Sequence, residues 1–261
     1  MRLKDLDIRC SYISLGEENI TKSFLVPALK CTKLYRRSVG FFSSSVLGTI
    51  IDGVVGLSRN GGKIQLIASP KLNDEDIKAI EAGYKNRAQI IEGAFTRDFM
   101  TEIDELDDSK LALLVSLIAN STLDIKIVVT SSSGMYHDKL GILEDNYGDK
   151  VVFYGSPNSS LNGYQENYEK IRIVKSWETS QQASVDDECQ EFDSLWNGTN
   201  PYVDVYGYKE AAKKNILEVL ETRKSGGNTP SNSPVILRDY QEEAISAWKQ
   251  NGYKGFYVMA T

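Results

Sequence analysis

His137 is the only histidine in 261 residues, and it stands two positions before Lys139 in the run Met-Tyr-His-Asp-Lys-Leu-Gly-Ile-Leu-Glu-Asp. After the next strand-like stretch comes Gly155-Ser156-Pro157-Asn158, in which Ser156 and Asn158 repeat the same spacing. Along an extended chain residues i and i+2 point the same way, so each pair is expected to share one face. An imidazole, an ammonium, a hydroxyl and an amide then converge, a set suited to a phosphodiester. The imidazole can attack phosphorus. The lysine and the two neutral donors can stabilise charge on the non-bridging oxygens. The set needs no acid cluster, and hence no metal. Taken singly, the histidine reads as a half-buried polar residue and Gly-Ser-Pro-Asn as a turn. The two motifs in order on adjacent expected strands, with Glu169 downstream, are what point to a site.

Placing these groups requires a hairpin. Met135 to Leu143 and Lys150 to Tyr154 are the expected strands, joined by a turn over Glu144 to Asp149 that contains Asn146 and Gly148. Upstream, Arg37 to Phe42 and Lys63 to Ala68 read as strands, with helices over Ser43 to Leu57 and from Asn73 through Ala82. A helix over Ser109 to Ala119 precedes a strand over Leu123 to Thr130. Another strand is expected over Glu169 to Val174. A helix over Ser184 to Trp196 follows, with Val185, Cys189, Phe192 and Trp196 on one side and Gly198 as its stop. The β-α-β-α order implies an α/β fold with parallel strands and helices on the sheet faces.

Composition narrows the class. The net charge of −6 gives no bulk attraction to nucleic acid or anionic membrane, so any polyanion must be held by a local basic site. Cys10, Cys31 and Cys189 are odd in number and widely spaced, which predicts reduced thiols and a cytoplasmic protein. The first ten residues contain no apolar signal-peptide core. No apolar run approaches the ~20 residues of a membrane span, so no membrane partner is expected.

His-Asp-Lys-Leu-Gly-Ile-Leu-Glu, then Gly-Ser-Pro-Asn, then Glu-Asn-Tyr-Glu resemble the HKD motif of the phospholipase D superfamily. Tyr35 to Leu47 and Lys63 to Ile80 look like the opening of its bacterial single-motif members. The resemblance covers about Ile20 to Trp196. It implies a mixed β-sheet flanked by helices on both faces. It makes His137 the nucleophile, Lys139 the phosphate-binding lysine, Ser156 and Asn158 the polar pair, and Glu169 the acid that orients the histidine. The family's Asp five residues after the lysine is Glu144 here, with Asp145 beside it, and either is expected to serve as the structural acid. Two histidines work together in this family, so one motif per chain implies a homodimer. Arg36 and Arg37, at an expected strand start, are candidates for holding a phosphate backbone. Tyr136 and Tyr164 stand near the motif, where a tyrosine either packs against the core or stacks on a base.

The chain changes character after Tyr208. Residues 1–200 are expected to form the phospholipase D-like domain, 201–223 a helical extension, and the Gly/Ser/Pro/Asn-rich 224–234 a linker. Leu237 to Thr261 resembles the start of a superfamily 2 helicase, in which Gln241 would contact adenine. The sequence stops before the GxxxxGK[ST] loop of such a domain, so ATP and Mg are expected only of a helicase part that is not present. No cofactor is expected for the domain that carries the motif. The resulting expectation is a metal-independent phosphodiesterase, a DNA endonuclease linked to a helicase. The alternatives are a non-catalytic, dimerising DNA-binding module and a lipid-acting enzyme. A helicase neighbour favours DNA as partner.

Overall fold

The structure, a computed structural model, describes residues 1–40, 49–72, 76–77, 87–103, 108–131, 135–156 and 168–208. Among these, eight strands form one mixed sheet in the order β1-β7-β6-β5-β2-β3-β4-β8. The strands are β1 (Ser11–Ile13), β2 (Thr32–Val39), β3 (Lys63–Ala68), β4 (Leu123–Thr130), β5 (Lys139–Asp145), β6 (Lys150–Gly155), β7 (Lys170–Lys175) and β8 (Val203–Gly207). β2, β3 and β4 run parallel, and every other pairing is antiparallel.

The central strands are near-continuous apolar runs because both of their faces are covered. On one face Leu66, Ile125, Phe153 and Tyr35 meet α1 (Val26–Cys31), α2 (Ile51–Arg59), α3 (Arg87–Ile103) and α4 (Asp108–Ala119). Leu29, Val54, Leu57, Ile91, Phe95, Leu114 and Leu117 come from these helices. On the other face Ile67, Val128, Leu140, Ile142 and Val152 pack under α5 (Gln182–Trp196) through Val185, Cys189, Phe192 and Leu195. The expected fold class, a mixed sheet with helices on both faces, is therefore the observed one.

Some boundaries differ, each for a physical reason. β2 begins at Thr32 instead of Arg37, because Arg36 and Arg37 are buried strand residues rather than residues of an exposed strand start. β5 begins at Lys139 rather than Met135, leaving His137 outside the strand. α3 was not expected, although Ile91, Phe95 and Phe99 repeat at i, i+4, i+8 and are all buried. Residues 203–207 are a strand paired with β4, so the sheet runs past residue 200 and that stretch is not helical. The expected helix through Asn73 to Ala82 lies mostly outside the described residues. So do the N-terminal part of the one expected from Ser43, the linker 224–234 and the whole of 235–261.

Candidate active site

His137, Lys139, Ser156 and Glu169 lie at one end of the sheet, beyond the carboxyl ends of the parallel strands β2, β3 and β4, while Glu144 and Asp145 lie at the other, beside the start of β2. Open α/β sheets place their sites at the carboxyl end. β5 enters from this end beside β2, with Lys139 opposite Val39. β6 leaves toward it, and β7 starts from it, with Gly155 opposite Ile171.

His137 is exposed in an extended segment just ahead of β5. Lys139 Nζ is 3.2 Å from His137 Nδ1, 3.1 Å from Nε2 and 3.2 Å from the His137 carbonyl oxygen. The lone-pair directions of the two ring nitrogens diverge, so a group equidistant from both lies along neither. The ammonium therefore sits against the ring rather than in line with either nitrogen.

Strand geometry does not hold His137 in register, so something else must. Tyr136 reaches the α5 face of the sheet, where its hydroxyl meets the buried Ser38 Oγ of β2. The same hydroxyl donates to Asp138 Oδ2 at 3.3 Å, and Asp138 Oδ1 accepts the Lys139 amide at 2.7 Å. Burial pushes the Tyr136 phenol well above its ordinary pKa, so it stays a neutral hydroxyl. Gly40 completes the clamp. A Cβ there would lie 2.8 Å from the Tyr136 carbonyl oxygen and 3.3 Å from His137 Cα, so only glycine lets the segment cross this closely.

The other half of the site is tied together through β6 and β7. The Ser156 amide donates to the Lys170 carbonyl at 3.3 Å, and the Lys170 amide donates back to Ser156 Oγ at 3.2 Å. A Cβ on Gly155 would fall 2.2 Å from that same carbonyl oxygen. Glu169, half-buried, is fixed by Ser14 in both directions: its amide donates to Ser14 Oγ at 2.9 Å and its carbonyl accepts the Ser14 amide at 3.0 Å. Its carboxylate is close enough to raise the Lys139 pKa. The net shift of Lys139 is nevertheless downward: burial pulls it down, Asp138 pushes up, Arg37 adds to the lowering, and Glu169 opposes it. The structure thus brings His137, Lys139, Ser156 and Glu169 to one sheet end. Asn158 and Gln241 lie outside the described residues. Among the described residues, no three His, Cys, Asp or Glu side chains converge in a way that would hold a metal ion.

The sequence profile of the family described as "cardiolipin synthase, PLD-like domain" matches residues 36–196. The chain belongs to that family. No curated protein sequence matches it. Among solved structures, NucT from Helicobacter pylori is 14% identical, with 70% of this chain and 94% of that one aligned at a TM-score of 0.38. The phospholipase D family member Nuc from Salmonella typhimurium is 14% identical over 76% and 97% of the two chains, at a TM-score of 0.43. Phosphatidylserine synthase from Haemophilus influenzae Rd KW20 is 12% identical over 81% and 44%, at 0.45.

Within this PLD-like domain, Glu144 and Asp145 have separate tasks. Glu144 Oε2 accepts from Arg36 at 2.7 Å. Asp145 is 4% exposed and accepts the amides of Leu3, Tyr147 and Asp149 at 2.9, 2.8 and 3.0 Å, closing the β5–β6 turn and holding the N-terminal segment. The expectation that Arg36 and Arg37 sit at the surface to hold phosphate needs correction. Arg36 is buried, with Asp193 at 3.3 Å as its second carboxylate and Cys189 Sγ at 3.9 Å. Arg37 is buried on the opposite face, 5.2 Å above the Phe153 ring.

Sequence reasoning missed Asp138, Ser38, Gly40 and Ser14, and considered Tyr136 only for packing or stacking. Of these only Asp138 carries a local signal, a carboxylate placed between the two motif residues. The Tyr136 clamp gives a prediction. Tyr136→Phe keeps the ring packed but removes the hydroxyl, and should lower kcat roughly 10- to 100-fold, the scale of a misplaced reacting group. KM should change little, and stability should fall by no more than about 1 kcal/mol. His137 is the sole histidine, so one imidazole NMR signal reports its placement directly. An unmoved signal together with an unchanged kcat would rule the clamp out.

Proposed function

We propose that the chain is a metal-independent phosphodiesterase acting on DNA, working as a homodimer with two His137 side chains at one site. The observation that carries this reading is the exposed His137 ring with the Lys139 ammonium against it. One imidazole nitrogen attacks phosphorus, an N–P bond forms, and the P–O bond to the leaving oxygen breaks. His137 of the partner subunit, starting protonated, gives that oxygen its proton. The same imidazole, now neutral, takes a proton from water as the water attacks phosphorus. The N–P bond then breaks and the first histidine returns to its starting state. Lys139 and the Ser156 region bind the non-bridging oxygens.

DNA is favoured over lipid by the resemblance of Leu237 to Thr261 to the opening of a helicase. No helix among the described residues is long and apolar enough to cross a membrane. The test is cleavage of plasmid and single-stranded DNA in EDTA, run alongside sedimentation. Cleavage should persist in EDTA, and the sedimenting species should have about twice the 29.1 kDa chain mass. Cleavage that requires a divalent metal, or a monomer that cleaves, would overturn the proposal.

A further inference from the structure

Many of the described cations are committed. Arg2, Arg9, Arg36, Arg87 and Arg97 are ion-paired. Lys33, Lys63, Lys126 and Lys175 cap backbone carbonyls. Two of the uncommitted ones stand together beside the site. Lys170 and Arg172 alternate along β7, so they share a face, and both are exposed. Among the described residues neither side chain has an ion pair or a hydrogen bond. Tyr154 is the cross-strand partner of Arg172 and is 39% exposed on the same face. Tyr168, two residues ahead of Lys170, is 68% exposed. α5 covers this face as far as Val152 and Val174 and leaves these four residues open.

The stripe is continuous with the reactive end, because the Lys170 backbone is the one that pairs with Ser156 in both directions. Further along the same face, across β5, the charge reverses. Asp138 lies there beside Tyr136, and Glu188 and Glu191 of α5 are near it, close enough that Asp138 and Glu191 both raise the Glu188 carboxyl pKa behind the larger effect of burial. A polyanion leaving the site is repelled on the β5 side and attracted on the β7 side.

We infer that Lys170, Arg172, Tyr154 and Tyr168 form the track of an unpaired nucleic-acid strand leading out of the site. The two cations, about 6.6–6.8 Å apart along the strand, meet successive phosphates. The tyrosines offer rings on which unpaired bases stack, a contact a closed duplex cannot make. The inference rests on the phosphodiesterase reading of the same site and adds to it the form of the substrate.

Two readouts separate the two claims. Binding of a fluorescent single-stranded 20-mer by anisotropy, in a His137→Ala background so that nothing is consumed, tests the track alone. The K170Q/R172Q pair should weaken binding about tenfold and flatten the log K against log salt slope by about 1.4, two contacts at roughly 0.7 each. Tyr168→Ala should weaken it roughly tenfold, as for one lost stacked base. Arg59→Gln, exposed at the opposite end of the sheet, should leave the slope unchanged. With His137 intact, the ratio of kcat/KM for the 20-mer to that for a small aryl phosphodiester should fall about tenfold in the pair variant. An unchanged slope and ratio overturns the track even if both substrates are cleaved. Loss of binding to phosphatidylglycerol vesicles with oligonucleotide binding intact would also overturn it, by making the stripe a lipid surface. Failure of the wild type to cleave either substrate overturns the phosphodiesterase reading, while the binding slope still decides the track.

Discussion

His137→Ala is expected to lose DNA cleavage by roughly 10⁴-fold or more, the scale seen when a covalent nucleophile is removed. The sequence holds no second histidine to take over. The ring is exposed in a segment outside the sheet, so truncating it should change stability by less than about 0.5 kcal/mol. The loss would therefore be chemical. Acid quench of labelled substrate is avoided because a phosphoramidate is acid-labile; alkaline quench should trap the adduct on wild-type His137 and none on the variant. If the variant still cleaves in EDTA, the phosphohistidine route is wrong. The pH profile adds a second reading. An alkaline loss should come from Lys139. Its pKa is lowered from the ordinary 10.5, first by burial, so its ammonium is lost at a lower pH than that of a free lysine. Glu169 raises that pKa, so Glu169→Gln should move this loss to still lower pH.

What could be read from the sequence, and what could not, follows from the range of the interactions involved. β3 and β4 have the bounds expected of them, because an apolar run flanked by turn residues is a local signal. α4 and the β5–β6 hairpin were legible for the same reason. The HKD-type spacing predicted that His137 and Lys139 would meet, and their side chains do meet. The cause is not a strand, however, but the clamp of Tyr136, Ser38, Asp138 and Gly40. Ser38 is 98 residues from Tyr136 in sequence, and no local pattern records that pairing. The burial of Arg36 is equally non-local. The carboxylates that allow Arg36 to be buried are 108 and 157 residues away, so from its neighbours alone it looks like a surface cation. β1 and β8 have three and five residues, too short to show alternation.

Asp145→Ala should be the most destabilising single change near the hairpin. It strands three backbone amides, those of Leu3, Tyr147 and Asp149, at about 1 kcal/mol each, for a total of about 3 kcal/mol. Leu3 is fully buried, so the loss also loosens the N-terminal segment packed against the core. In urea the unfolding midpoint should fall, and the slope should stay constant if the native fold survives. Glu144 makes the sharper test, because it is where the sequence departs from the family's aspartate. Its carboxylate meets Arg36 at 2.7 Å, and the Arg36 side chain is only 7% exposed. An aspartate is one methylene shorter, so Glu144→Asp would pull the acid out of hydrogen-bond range and leave the guanidinium to Asp193, whose side chain is 58% exposed. A buried charge that loses its better partner is costly, even though the intact pair contributes little net stability. Restoring the family residue should therefore destabilise this chain, by about 1 kcal/mol after solvent screening at the partly exposed Glu144. Arg36→Met combined with Glu144→Leu, which removes both charges, should cost less than Arg36→Met alone. A Glu144→Asp protein that is more stable or more active than wild type would show that the departure is a defect rather than an ion pair matched to Arg36.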